Sequence, residues 1–342
     1  MRKNLRMPRR KIITIFVLAF SAPAFAPTII FAATRIRLAQ PVIAVMYAPL
    51  YFGAKQGIFT GEGLTLEFMT MRTDLAIAAL GAGEADYIAH GGAAMRAAAQ
   101  GFPLKLVFAL DDKTPFWVAA RSEFKSARQL KGKKIGVSFP ADTPHIILKR
   151  YLRQQGIDPD RDVAYVSGQF SPIALQSLLA GVLDAAVLAP PFNVLAEEKG
   201  LRLLTFLGQS VPDATTSNGI VTSDQKIRSR PDEVKRMVRA SLKSLYAFRR
   251  NKAAAIAFLA SEFEISKSVA AKVYPNAIDI LTPDGEISAD KLRQILAMMQ
   301  DTGKKDSPPM HPAALLDFSF VRAAQKELAG GGSGAPQDSA TK

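Results

Sequence analysis

The sequence of 342 residues contains no cysteine, one tryptophan and three histidines. Without cysteine there is no disulfide framework, no thiolate metal site, no cysteine nucleophile and no lipid-modified N-terminal cysteine. No histidine has a second histidine or a carboxylate at a metal-ligand spacing, so we expect no metal site. A Gly-x-Ser-x-Gly elbow and a phosphate-binding loop are absent as well, which leaves catalysis and a cofactor without support in the sequence.

The net charge of +14 is concentrated at one end of the chain. Residues 1–33 hold six basic residues and no acid, which leaves +8 for the rest. After residue 33, positive and negative charges are interspersed, and no basic run is interleaved with aromatic residues. Nucleic acid is therefore not an expected partner.

The first 33 residues have the order of a secretory signal. A basic segment through Lys11 precedes an apolar stretch at 12–20, and small residues follow at Ala22, Ala24 and Ala26. We assign 1–33 as a signal peptide, with the mature chain beginning between residues 27 and 34. Since 12–33 is apolar almost throughout, an uncleaved anchor is the alternative. Export places the protein in the periplasm.

Residues 35–92 and 134–191 repeat one order of elements. Each copy reads strand, helix, strand, helix, strand, with Gly57 and Gly156 ending the first helices and Asp86 and Asp184 opening the third strands. Alternation of this kind favours parallel sheets with right-handed crossovers. The predicted fold is α/β, with two similar lobes and a cleft between them.

The pattern becomes helical after residue 222. A long helix is predicted from Pro231, and further helices at 253–263, 266–273 and 289–300. The glycine-rich stretch from residue 330 onward predicts a flexible tail.

Ligands of open parallel sheets gather beyond the carboxyl ends of the strands, where helix N-termini present free N–H groups. This rule selects the loops 45–49, 71–74, 90–93, 140–144 and 189–193. Thr143 or Asp142 would cap the helix that begins near Pro144, and Thr73 or Asp74 would cap the helix that begins at the 71–74 loop. Alternatively, the oxygens of these side chains bind a ligand. Among the aromatic residues, Trp117 is a candidate wall of the cleft. His90 is either a hydrogen-bonding group of the pocket or a structural histidine.

Several segments resemble the periplasmic substrate-binding proteins of ABC importers of the nitrate, sulfonate, taurine and thiamine-pyrimidine-precursor type. They are YAPLYFGAKQGIF at 47–59, GEGL at 61–64, ALGAGEAD at 79–86, LKGKKIGV at 130–137 and LLAGVLDAAVLAPP at 178–191. The resemblance covers most of 35–275, and it rests on the order and spacing of these segments.

The resemblance implies a type II periplasmic binding protein: two Rossmann-like lobes joined by two hinge segments, with extra C-terminal helices. Lobe 1 would comprise 34–120 and 218–329, and the inserted lobe 2 would comprise 121–217, with hinges at 116–120 and 217–221. Residues 330–342 remain the tail. With Trp117, the implied ligand-contacting positions are Met46, Tyr47, Thr73, Asp74, His90, Gly91, Asp142, Thr143, Pro190 and Pro191.

The function implied is a monomeric, non-enzymatic receptor that carries a small molecule to ABC permease subunits in the inner membrane. Asp74 and Asp142 near the cleft would repel an anion, and the 189–191 loop favours a partly apolar ligand such as an aromatic or heterocyclic acid. The alternatives are an exported sensory module and a pyrimidine-precursor synthase-like enzyme. Enzymes of related fold depend on cysteine, which this chain lacks.

Overall fold

The computed structural model describes residues 33–140, 142–212, 218–301 and 311–330. The predicted signal segment, apart from Ala33, and the predicted tail, apart from Gly330, lie outside the described residues. No helix in the described ranges is long and apolar enough to cross a membrane.

The described strands form two five-stranded sheets. Their bounds are β1 Thr34–Gln40, β2 Leu64–Thr70, β3 Tyr87–Ile88, β4 Leu104–Ala109, β5 Trp117–Ala120, β6 Lys134–Gly136, β7 Ala164–Val166, β8 Ala185–Leu188, β9 Arg202–Phe206 and β10 Gly219–Ser223. The first sheet has the order β2-β1-β3-β10-β4 and the second β7-β6-β8-β5-β9. In each sheet the fourth strand is antiparallel to both neighbours.

Helices cover the sheets and continue beyond them. Their bounds are α1 Ala48–Lys55, α2 Ile58–Gly61, α3 Thr73–Ala82, α4 Gly91–Ala99, α5 Thr143–Gln154, α6 Ser171–Leu179, α7 Phe192–Glu198, α8 Leu207–Ser210, α9 Asp224–Ser229, α10 Pro231–Arg250, α11 Lys252–Glu262, α12 Lys267–Ile280, α13 Ala289–Asp301 and α14 Ser319–Gly330. Short 3-10 turns lie at Val45–Tyr47, Ala127–Leu130 and Pro312–Ala314. The predicted C-terminal helices are confirmed.

The internal repeat extends to single hydrogen bonds. Asp86 accepts a hydrogen bond from the backbone N–H of Arg37 at 2.8 Å, and Asp184 accepts one from that of Lys134 at 2.9 Å. In both cases the carboxylate before the third strand binds the backbone of the first strand, next to it in the sheet. The two aspartates therefore fix the same strand pair in each lobe.

Strand β5 corrects the predicted lobe boundary. The first lobe was predicted to extend through residue 120, but Trp117–Ala120 pairs with β8 and β9 in the second sheet. The first crossover therefore occupies 110–116. The second leaves α8 and enters β10, and residues 213–217 within it lie outside the described residues. Strand β5 is the fourth strand of the second sheet, and β10 is the fourth strand of the first. Each lobe therefore contains one strand that directly follows a crossover from the other lobe.

The long helix α10 anchors the additional helices to the first lobe. Its predicted apolar stripe is fully buried, comprising Val234, Met237, Val238, Leu242, Leu245 and Phe248. Buried Glu62, at the turn before β2, binds Arg239 and Lys243 of α10, with N–O distances of 2.5 to 3.0 Å. Apolar burial and a paired buried carboxylate together hold α10 against the first sheet.

The two crossovers meet at a buried contact between Asp111 and Asn218. The Asp111 carboxyl group accepts from the backbone N–H of Asn218 at 2.7 Å and from its side-chain amide at 2.6 Å. The N–H of Leu110 donates to the Asn218 carbonyl at 2.7 Å. Burial raises the pKa of Asp111 to about 7, although the bonds from Asn218 oppose this rise.

Replacement of Asp111 tests this contact through pH. The folded chain holds the Asp111 proton more tightly than the unfolded chain between pH values of about 3.8 and about 7. The free energy of unfolding therefore falls as pH rises through this window, by about 4 kcal/mol at most. We expect Asp111→Asn to remove this fall in urea unfolding measured from pH 4 to 8. Parallel curves for wild type and Asp111→Asn would contradict the assignment.

Candidate functional site

The candidate site lies where the carboxyl ends of the parallel strands of one sheet face those of the other. Side chains from the two edges influence one another: Asp142 before α5, in the second lobe, raises the pKa of Arg96 on α4, in the first, against the lowering by burial. Helix N-termini open onto this edge in both lobes. Free N–H groups at these termini favour polar or anionic groups of a ligand.

In the first lobe, His90 and Thr73 form a hydrogen-bonded pair. The Thr73 hydroxyl oxygen lies 2.7 Å from Nδ1 of His90, which immediately precedes α4. Burial, with a smaller effect from Arg96, lowers the pKa of His90 to about 4, so the ring is neutral at pH 7. The predicted capping of α3 by Thr73 or Asp74 is wrong, because the residue before α3 is Arg72 and no side chain caps it.

In the second lobe, Asp142 caps α5, which confirms one of the two capping alternatives. Its carboxylate accepts from the backbone N–H groups of Phe139 and His145, both at 3.1 Å, and from the hydroxyl of Ser138. Thr143 follows at the first position of α5 and is buried, yet its hydroxyl oxygen has no hydrogen-bond partner among the residues that the structure describes. A buried hydroxyl left unpaired costs free energy, which a ligand oxygen or nitrogen would recover.

Asn193 was not among the predicted ligand-contacting residues, although it ends the selected loop 189–193. It lies on the first turn of α7, directly after Pro190, Pro191 and Phe192, and is fully buried. In the described part of the chain, both its amide oxygen and its amide nitrogen lack a hydrogen-bond partner. Nothing in the sequence distinguishes Asn193 from an exposed helical asparagine, because its burial depends on long-range packing.

The other predicted site residues have different surroundings. Tyr47 is 1% exposed, and its hydroxyl donates to the Asn218 side-chain oxygen at 3.4 Å; the sulfur of Met46 accepts from the Asn218 amide at 3.3 Å. Trp117 is mostly buried and stacks on Phe206 with ring centroids 4.3 Å apart. Met46 and Tyr47 thus support the crossover contact.

Asp74 and Gly91 lie at the starts of two helices of the first lobe. Asp74 is exposed and pairs with Arg72 at 3.0 Å. Gly91 is buried as the first residue of α4. Asp74 therefore presents a charge that is already neutralised.

A separate cavity of about 560 Å³ lies on the first lobe beside α12 and the first crossover. Three of its charged side chains are partnered: Lys113 pairs with Asp279 at 2.6 Å, and Arg249 donates to the carbonyls of Ile278 and Leu281. The facing strand ends, by contrast, carry buried polar groups without partners. These strand ends are the better candidate for a ligand site.

A family model described as NMT1/THI5 like matches residues 45–255, which is more than half of the chain. The chain belongs to the NMT1/THI5-like family. The matched region includes both sheets apart from β1, and all of the strand-end loops described above.

Solved structures share the fold of this NMT1/THI5-like protein. The periplasmic sulfonate-binding protein SsuA from Methylobacillus flagellatus is 18% identical, with a TM-score of 0.67 over 87% of this chain and 96% of that one. The alkanesulfonate-binding protein SsuA from Xanthomonas axonopodis, bound to MOPS, is 17% identical, with a TM-score of 0.65 over 85% and 97%. The desulfurization enzyme DSZB is 15% identical, with a TM-score of 0.62 over 86% and 99%. The periplasmic binding protein fold is thus confirmed.

Curated relatives match over part of their length. The riboflavin-binding protein RibY of Chloroflexus aurantiacus is 26% identical over 235 residues, which are 66% of this chain and 65% of that protein. An ABC transporter periplasmic binding protein of Brachyspira hyodysenteriae is 31% identical over 122 residues, or 35% and 34%. The match therefore spans about a third of one relative and just under two thirds of the other.

Two threonines allow a matched test of the unpaired hydroxyl. Thr143→Val should leave the free energy of unfolding of the ligand-free protein within about 0.5 kcal/mol of wild type, or raise it, because no protein bond is lost. Thr73→Val breaks the bond to His90 and should cost about 1 kcal/mol. Urea unfolding at pH 7 measures both, and an equal loss in the two variants would show that Thr143 serves the fold.

Proposed function

We propose that this NMT1/THI5-like protein is an exported, periplasmic substrate-binding protein of an ABC importer. It binds a small organic molecule between its lobes and presents the closed complex to permease subunits in the inner membrane. The observation that carries the proposal is the set of buried, unpartnered polar groups at Thr143 and Asn193 in the strand-end loops. The periplasmic relatives and structural neighbours support it.

Apolar side chains on both rims of the cleft support closure. Val42, Ile43 and Leu75 are exposed at strand ends of the first lobe, and Phe139, Phe170 and Ile173 at those of the second. The rings of Phe139 and Phe170 meet edge to face with centroids 5.2 Å apart. Closure around a ligand would remove these surfaces from water, which stabilises the closed form.

An enzymatic role has less support. A cysteine-to-serine variant of the neighbour DSZB was solved in complex with biphenyl-2-sulfinic acid, whereas this chain has no cysteine. His90 forms its hydrogen bond with Thr73. The groups at the strand ends are suited to hydrogen bonding with a ligand.

Two exposed phenylalanines provide the test of closure. Phe139 is 47% exposed at the cleft rim, and Phe102 is 51% exposed just before β4, at the opposite edge of its sheet. Phe139→Ser should weaken ligand binding by about fivefold to tenfold, since roughly 1 kcal/mol of apolar burial is lost on closure. Phe102→Ser should bind as wild type does. Equal affinities for both variants in isothermal titration would contradict closure through this rim.

The ligand itself is sought by native mass spectrometry of protein from the periplasm, before and after dialysis under denaturing conditions. A retained solute should be released, and its return at 100 times its dissociation constant should stabilise the fold by about 2.7 kcal/mol. The same spectrum reports the processed mass, expected to begin between residues 27 and 34. No adduct, together with no thermal shift across sulfonates, organic acids, pyrimidines and flavins, would contradict the proposed function.

A further inference from the structure

Arg96 lies on the face of α4 that is turned away from the first sheet. The buried residues of α4 include Ala94, Met95, Ala97 and Ala98. The residues spaced three apart on the other face are only partly buried: His90, Ala93 and Arg96. Within the described residues, Asp142 of the other lobe is the carboxylate that influences the pKa of Arg96. The side chain therefore belongs to the interlobe edge.

The guanidinium group of Arg96 has no hydrogen bond or ion pair with any residue that the structure describes. Other largely buried cations of the first lobe are paired. Lys226, 15% exposed, binds Asp86 and Glu233, both at 2.7 Å, and Arg239, 24% exposed, binds Glu62 at 2.5 Å. Removing a cation from water without a counterion is costly, and burial accordingly lowers the pKa of Arg96.

No neighbouring group binds the guanidinium group of Arg96 within the described residues. The negative charge of Asp142 favours the protonated form of Arg96, but both carboxylate oxygens of Asp142 accept hydrogen bonds from their own loop and helix. His90 is uncharged at pH 7. Asp74 is exposed and paired with Arg72. The guanidinium N–H groups thus remain without acceptors in the described part of the chain, at an edge that also offers the hydroxyl of Thr143.

We infer that Arg96 is the specificity-determining residue of the cleft and that the ligand is an organic anion whose carboxylate or sulfonate group binds the guanidinium. This inference rests on the proposed function and names its ligand class. A planar guanidinium forms two parallel hydrogen bonds to such a group, and charge-assisted bonds in a partly desolvated site are strong. The hydroxyl of Thr143 is the candidate for a further bond to the same ligand.

The test compares Arg96→Gln with wild type in thermal melts of ligand-free protein. The probes are the anions MOPS and benzoate and the uncharged benzamide. We expect an anion to raise the melting temperature of wild type while benzamide does not, and Arg96→Gln to weaken anion binding by about tenfold to a hundredfold. Ligand-free Arg96→Gln should melt at or above the wild-type temperature, because an unpaired charge has been removed.

Arg35→Gln is the matched control, since Arg35 belongs to the same lobe, lies at the amino end of β1 away from the strand-end loops, is exposed and is paired with Glu67. It should keep the anion response. The inference is overturned if benzamide stabilises wild type as well as benzoate does, if Arg96→Gln keeps the anion response, or if Arg96→Gln alone melts several degrees lower.

If no probe raises the melting temperature of wild type, the solute that the protein retains from the periplasm tests the inference instead. An anionic solute that Arg96→Gln fails to retain supports the inference. A neutral solute, or one that the variant binds equally well, overturns it and leaves the proposed function standing. Absence of any bound solute, together with no thermal shift across sulfonates, organic acids, pyrimidines and flavins, defeats the proposed function as well.

Discussion

The contact between Asp111 and Asn218 is the interaction on which the arrangement of the two lobes depends. It joins the two chain segments that pass between the sheets through bonds to both the backbone and the side chain of Asn218. Met46 and Tyr47, which follow β1, also contact Asn218. One buried carboxyl group therefore ties the start of β10, the end of β4 and the first strand-end loop together.

The carboxylates that fix elements of the fold are satisfied by hydrogen bonds, whereas three polar side chains at the strand ends are not. Glu62, Asp86 and Asp142 each accept several hydrogen bonds and fix a helix, a strand pair and a helix cap. The side chains of Thr143, Asn193 and Arg96 form no hydrogen bond within the described residues, although all three residues are largely or fully buried. Buried polar groups without partners reduce stability, and they persist where a ligand supplies the missing bonds. In the cavity beside α12, by contrast, Lys113 pairs with Asp279 and Arg249 donates to backbone carbonyls.

Much of the architecture could be predicted because its signals are local. The helix-ending glycines, the aspartates before β3 and β8, and the apolar stripe of α10 act over a few residues, and the structure confirms the elements they define. Strand β5 was assigned to the wrong lobe because four apolar residues define a strand without showing which sheet it joins. Arg96 escaped notice for a related reason: in the sequence it is one basic residue in an alanine-rich helix. Its importance depends on the absence of a partner, and pairing is decided by segments far away in the chain.

The sequence by itself determined the order of strands and helices, their repetition in two lobes and the edge at which a ligand should lie. Periodicity, capping and the rule for carboxyl ends of parallel strands need only neighbouring residues. The tertiary structure decided which charges at that edge are neutralised. Asp74 pairs with Arg72, and Asp142 caps α5 with a carboxylate that keeps its charge and acts on Arg96, whose guanidinium group has no acceptor in the described ranges. Electrostatic character depends on burial and on distances between residues remote in sequence, and only the folded chain sets these distances.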